Sequence, residues 1–223
     1  MKKVLGAVTI GQAPRTDLTP EIREILGSEV EIKEAGALDG LSREEIAEFA
    51  PGPDDSILVT RLADGSPVKV AERNIFPLLR EKVDGLYREE VPVVVLLCTG
   101  EFPSFPTPGL LVKPQPVLYN VTRAVAEGLK IGVLVPAPDQ IEEAKVRWRG
   151  VGREQVVLAA SPYGDQEKLK TAAYELADAN VELVVLDCMG YTLAMQQLVR
   201  DVVGVPVILA RGIVARVLKE ILG

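Results

Sequence analysis

Six short runs rich in β-branched residues recur along the chain, at 4–10, 91–97, 131–135, 156–158, 183–186 and 205–209. Helical patterns fill the intervals, at 19–26, 72–87, 118–127, 138–149, 165–180, 192–203 and 213–222, most with apolar residues three and four apart. This alternation predicts parallel strands, because a parallel pair needs a crossover and the crossover is normally a helix. The runs are continuously apolar, as strands buried on both faces are. At 42–49, Ser42 stands three residues before Glu45, a capping box that opens one more short helix.

One segment departs from the rhythm. Between about 56 and 70, the turn pair Asp64-Gly65 separates two apolar stretches, which predicts a β-hairpin. A hairpin inserted into an α/β body projects beyond the sheet, where it can cover a cleft. The chain has 223 residues, enough for one compact body or two small halves.

The two halves repeat a pattern. Val94-Val-Leu-Leu-Cys98-Thr-Gly100 and Val184-Val-Leu-Asp-Cys188-Met-Gly190 each read as a buried strand followed by Cys-x-Gly. The run at 4–10 leads into Gly11-Gln12-Ala13-Pro14, and the run at 131–135 into Pro136-Ala137-Pro138. A duplicated α/β half accounts for this. The expected division is 1–115, carrying the hairpin, and 116–223. The Pro-rich stretch 103–116 forms the crossing, and the final helix is free to return to the first half.

Composition narrows the function. A net charge of −7 and a pI near 4.9 do not suit nucleic-acid binding, which needs clustered Lys and Arg. The N-terminal apolar run is too short for a signal peptide, and no stretch approaches a membrane span. A cytoplasmic protein is expected. Two cysteines and no histidine exclude a His-based triad and argue against structural zinc or any other metal site. Neither GxGxxG nor GxxxxGK[ST] is complete, so no nucleotide cofactor is expected.

Each cysteine should lie at the carboxyl edge of its sheet, where open α/β sheets bind ligands near a topological switch point. The glycine two residues on admits positive φ and close backbone approach. Two thiols facing one cleft can act as base and acid on opposite faces of a carbon adjacent to a carboxylate. The pair would rest as one thiolate and one thiol, because two close thiolates repel. Around them, Thr9, Gly11, Gln12 and Arg15 offer the groups that fix a carboxylate. Arg61 in the hairpin, Thr99, Gly100, Pro136, Met189, Gly190 and Tyr191 complete the expected lining. The Gly100 and Gly190 N–H groups would hold the carboxylate or a developing enolate, and the Tyr191 phenol would stand at the cleft edge. Asp187 should point to the opposite sheet face, Trp148 should pack, and Arg211 serves as a ligand contact or a helix cap.

The segments Thr9-Ile-Gly-Gln-Ala-Pro-Arg15, Leu97-Cys-Thr-Gly-Glu-Phe-Pro103 and Leu186-Asp-Cys-Met-Gly-Tyr191 resemble the signatures of the AroM family, and the likeness runs from end to end. That family is similar to the aspartate/glutamate/hydantoin racemases, which include a maleate isomerase and an arylmalonate decarboxylase. The resemblance implies two pseudo-symmetric halves, a cysteine from each for cofactor-independent chemistry, a small anionic metabolite as ligand, and a homodimer. It departs from the racemase pattern, in which Cys-Asn-Thr and Cys-Thr-His stand where this chain has Cys98-Thr-Gly and Cys188-Met-Gly. The expected function is a racemase or isomerase acting on a small carboxylate. The alternative is a non-catalytic metabolite-binding or sensing protein associated with aromatic amino-acid biosynthesis.

Overall fold

A computed structural model describes residues 3–223; Met1 and Lys2, at the head of the N-terminal run, lie outside the described residues. The chain forms two compact units, one of residues up to Pro114 together with Lys219–Gly223, the other of Gln115–Leu218. The first contains β1 (Lys3–Thr9), α1 (Thr19–Leu26), β2 (Val30–Gly36), α2 (Arg43–Ala47), the hairpin strands β3 (Ile57–Arg61) and β4 (Pro67–Ala71), α3 (Glu72–Arg88), β5 (Val93–Leu96) and β6 (Leu110–Val112). There follow α4 (Pro114–Val125), β7 (Lys130–Val135), α5 (Ile141–Arg147), β8 (Glu154–Ala159), α6 (Gln166–Asp178), β9 (Leu183–Leu186), α7 (Leu193–Val203), β10 (Val207–Leu209) and α8 (Ala210–Leu222).

Each unit holds a four-stranded parallel sheet, ordered β2-β1-β5-β6 in the first and β10-β9-β7-β8 in the second. The orders are equivalent. In each, the first strand lies between the second and the third, with the fourth beyond the third. The chain reverses its direction across the sheet between β1 and β5, and again between β7 and β9. These are the switch points where α/β sheets take ligands.

The agreement extends to side chains. On α3, Ile75, Leu79, Val83 and Leu86 form a core with Val8, Val94 and Leu96; on α6, Leu169, Ala172, Ala173 and Leu176 do so with Leu134, Val184 and Leu186. A Cβ added to Gly6 of β1 would lie 2.8 Å from Leu86 Cδ1, and one on Gly132 of β7 would lie 2.9 Å from Leu176 Cδ2. Each helix is thus seated against a glycine in the first strand. After each, a left-handed residue, Glu90 or Asn180, returns the chain to the sheet. The N–H of the next residue, Val91 or Val181, then donates to the carbonyl of Leu86 or Leu176.

Several elements differ from expectation. Strands β2 and β6 carry no long apolar run, which their places at sheet edges permit; Glu31, Lys33 and Glu34 interrupt β2, and β6 sits inside the Pro-rich stretch. Helix α4 starts at Pro114, earlier than its apolar pattern, since prolines in a first turn forfeit no helical hydrogen bond. The capping box at Ser42 forms in full. Among the described residues no helix is long and apolar enough to cross a membrane.

The hairpin forms with Gly65 at φ 85° and Asp64 Oδ1 accepting from the Ser66 N–H and hydroxyl. It lies against the carboxyl end of β1: the Gln12 N–H donates to the Arg61 carbonyl at 3.2 Å. A Cβ on Gly11 would stand 2.2 Å from that carbonyl oxygen and 2.5 Å from Thr60 Oγ1. Backbone on one side and the buried Thr60 side chain on the other leave the extra methyl no room. Gly11→Ala should therefore lower stability by about 1–3 kcal/mol, as overpacking does, read as a lower urea midpoint at unchanged m-value.

Candidate functional site

In the first unit, β5 runs beside β1 with Val8 opposite Leu96, and the Leu97 N–H donates to the Val8 carbonyl at 2.8 Å. Cys98, one residue further, emerges half-buried at the switch point. The Gly100 N–H donates to its Sγ at 3.3 Å. In the second unit β9 runs beside β7, Cys188 follows Asp187 at the equivalent place, and the Gly190 N–H donates to Cys188 Sγ, again at 3.3 Å. Cys188 is the more enclosed, with 8% of its surface exposed. Among the described residues there is no disulfide.

The two glycines have a purpose other than the one expected. Neither adopts positive φ; both are needed for space. A Cβ on Gly100 would approach Leu58 Cδ2 to 2.8 Å and Phe102 Cζ to 3.3 Å, while one on Gly190 would meet Tyr163 Oη at 2.4 Å and Pro162 Cγ at 2.9 Å. Their N–H groups were expected to meet a ligand oxygen. The fold instead directs each at the sulfur two residues back, where a donor stabilises negative charge.

The first βα loop also differs. Arg15, 3% exposed, donates from Nε and Nη2 to the two Asp17 oxygens at 2.8 and 2.9 Å, and from Nη1 to Thr9 Oγ1 at 3.0 Å and Thr60 Oγ1 at 3.5 Å. Thr9 Oγ1 also accepts from the Gly11 N–H. Gln12 donates to the carbonyls of Leu38 and Leu41 and accepts from the Ala63 N–H. Arg61 reaches its own turn, donating to the Gly65 carbonyl at 2.9 Å, and lies 3.7 Å from Asp17. The groups expected to fix a carboxylate thus brace the loop and the hairpin, and the buried Thr9 and Arg15 need protein partners at that depth.

In the second unit Pro136 is buried just beyond β7. Tyr191 is fully buried, its hydroxyl donating to the Ala160 carbonyl at 2.6 Å, and so does not stand at an edge as expected. Burial, reinforced by the charges of Cys188 and Asp187, pushes its phenol well above the ordinary value. Cys188 shares a face with Leu186, while Asp187 turns away, accepting on Oδ2 from Arg147 Nη2 at 2.9 Å and Trp148 Nε1 at 2.8 Å. Trp148 is buried. The Met189 and Gly190 carbonyls accept from Arg211, whose guanidinium thus braces the turn after Cys188.

Tyr163, Thr60 and Asp17 lay outside the expected set. Asp17 could have been read from its spacing to Arg15, and Tyr163 from its place after β8; Thr60 depends on where the hairpin lands. Among the described residues no three His, Cys, Asp or Glu side chains cluster in a way that could hold a metal ion.

Two outcomes follow from these contacts. Burial pushes the Asp17 carboxyl up, but the hydrogen bond and charge of Arg15, with the charge of Arg61, outweigh it and hold it below its ordinary 3.8. Its stabilisation is therefore present above about pH 4 and lost as pH falls below that value. Asp17→Asn should be less stable at neutral pH and lose less on acidification to about pH 3, measured by urea titration across pH. Tyr191→Phe strands the Ala160 carbonyl and should cost about 1 kcal/mol in the same assay.

The geometry meets its relatives at two levels. A sequence search of curated proteins returns no match. Among solved structures, a doubly substituted arylmalonate decarboxylase in its liganded form is similar at TM-score 0.64 and 13% identity, over 99% of this chain and 92% of that one. A glutamate racemase isoform from Bacillus anthracis is similar at 0.64 and 15%, covering 100% and 82%. An allantoin racemase from Klebsiella pneumoniae is similar at 0.61 and 14%, covering 98% and 87%. At such identities the likeness is one of fold: paired parallel sheets flanked by helices. In sequence, the model of the family described as AroM protein matches residues 5–222, nearly the whole length, and the chain belongs to that family.

Proposed function

We propose that this protein is a cofactor-independent racemase- or isomerase-like enzyme that moves a proton on a small carboxylate through Cys98 and Cys188. One observation carries the reading: both units place a cysteine at the switch point and aim the N–H of the second residue on at its sulfur. Duplication of a hydrogen bond to sulfur is not explained by packing, since a small hydrophobe would serve a core equally well. Parallel-sheet folds with these neighbours include racemases and a decarboxylase.

In the proposed step, one thiolate takes the proton from the carbon beside the carboxylate. The bonding pair is held as an enolate, and the opposite thiol gives its proton to the other face. The sulfurs exchange charge and no electron is gained or lost. Thr99 and Gly100 flank Cys98 in the first unit and Met189 and Gly190 flank Cys188 in the second, while Thr9, Gln12 and Arg15 act by holding the β1 loop in shape. Thiols at work suit the reducing cytoplasm.

One observation favours a second reading, a small-metabolite-binding or sensing protein without turnover: Thr99-Gly100 and Met189-Gly190 follow the cysteines where the racemase pattern has Asn-Thr and Thr-His. Exchange of the α-proton into heavy water, over a panel of amino and dicarboxylic acids, separates the two. We expect exchange with at least one acid, reduced about 100-fold or more in Cys98→Ala and in Cys188→Ala. Exchange that survives in the double variant would exclude the cysteine mechanism, and ligand-induced thermal stabilisation without exchange would establish binding alone.

A further inference from the structure

We propose that Arg211 is a positioning residue that holds Cys188 in its reactive form through the intervening peptide group. This rests on reading Cys188 as a functional thiol. Arg211 is the second residue of α8, directly after β10, and its side chain is completely buried. Nε donates to the Met189 carbonyl at 3.0 Å and Nη2 to the Gly190 carbonyl at 3.2 Å. The Met189 carbonyl and the Gly190 N–H are the two ends of one peptide group, and that N–H donates to Cys188 Sγ. A guanidinium, charged at any ordinary pH, thus sits two hydrogen bonds from the sulfur.

The arrangement has two consequences. Donation to the carbonyl polarises the peptide, so its N–H becomes a stronger donor to the sulfur. The fork also fixes two successive carbonyls, which sets the direction of the N–H between them. The other charged or titratable groups around the turn do not supply this. Asp187 is the preceding residue and its Oδ2 is held by Arg147 and Trp148; Tyr191 is a buried phenol bonded to Ala160; Tyr163 lies over Gly190. Arg147 is engaged by Asp187, and among these described groups Arg211 is the cation that donates to the turn's own peptide carbonyls. In the first unit, apolar Leu58 and Phe102 crowd the Cys98 turn.

The test titrates each thiol by the ultraviolet absorbance of its thiolate, using Cys98→Ser to isolate Cys188 and Cys188→Ser to isolate Cys98. Arg211→Met should raise the Cys188 midpoint by about one pH unit, a tenfold loss of thiolate near neutrality. Arg211→Lys, which keeps the charge but not the fork, should give a smaller rise, and it carries the test alone if the Met variant does not fold. The Cys98 midpoint should stay fixed. A Cys188 midpoint unmoved in folded Arg211 variants, or a Cys98 midpoint that moves equally, would overturn the proposal. The readout needs no turnover: a wild-type protein that exchanges no proton but shows the Arg211 shift would defeat the proposed function and leave this inference standing.

Discussion

Close approach of the backbone to whatever lies above it, at the ends and middles of the central strands, is the constraint on which the rest depends. Gly6 and Gly132 let a helix leucine sink onto the first strand of each sheet. That contact sets the depth of α3 and α6, and so the line along which β5 and β9 leave them. Gly100 and Gly190 then allow the turn after each cysteine to fold beneath Leu58 or Tyr163, which turns an N–H back toward sulfur. A Cβ at these places would displace packed side chains, with a cost that rises because interiors are dense.

Electrostatics in the first unit follow from burial. Arg15, with almost no exposed surface, is matched by a bidentate carboxylate and two threonine hydroxyls, so its charge stays in the interior without penalty for unmet donors. One of those hydroxyls comes from the hairpin, which ties β3 to the loop after β1. The loop is thereby a rigid frame beside Cys98, suited to holding a shape that a reaction centre needs. Its polar groups are engaged by protein partners.

The second unit uses the same topology with a different surround. Its cysteine turn is enclosed by Tyr163, Tyr191 and Arg211, where the first has Leu58 and Phe102. Duplicated backbones thus place two chemically identical thiols among unlike neighbours, which is how a protein sets equal groups apart.

The strand–helix alternation, the Asp64-Gly65 turn, the Ser42 cap and the repeated Cys-x-Gly are local, so spacing alone was sufficient to read two related α/β halves and to single out Cys98 and Cys188. Edge strands β2 and β6 escaped, since a strand paired on one side needs no long apolar run. The partners of Arg15, Gln12, Tyr191 and Arg211 were equally hidden, because each meets residues brought near only by the sheet order and by the landing of the hairpin. Sequence by itself determined the strand–helix alternation and the two matched Cys-x-Gly turns. Tertiary structure decided which polar residues are taken up in bracing the fold, for the physical reason that a buried polar group must find its partner wherever packing places one.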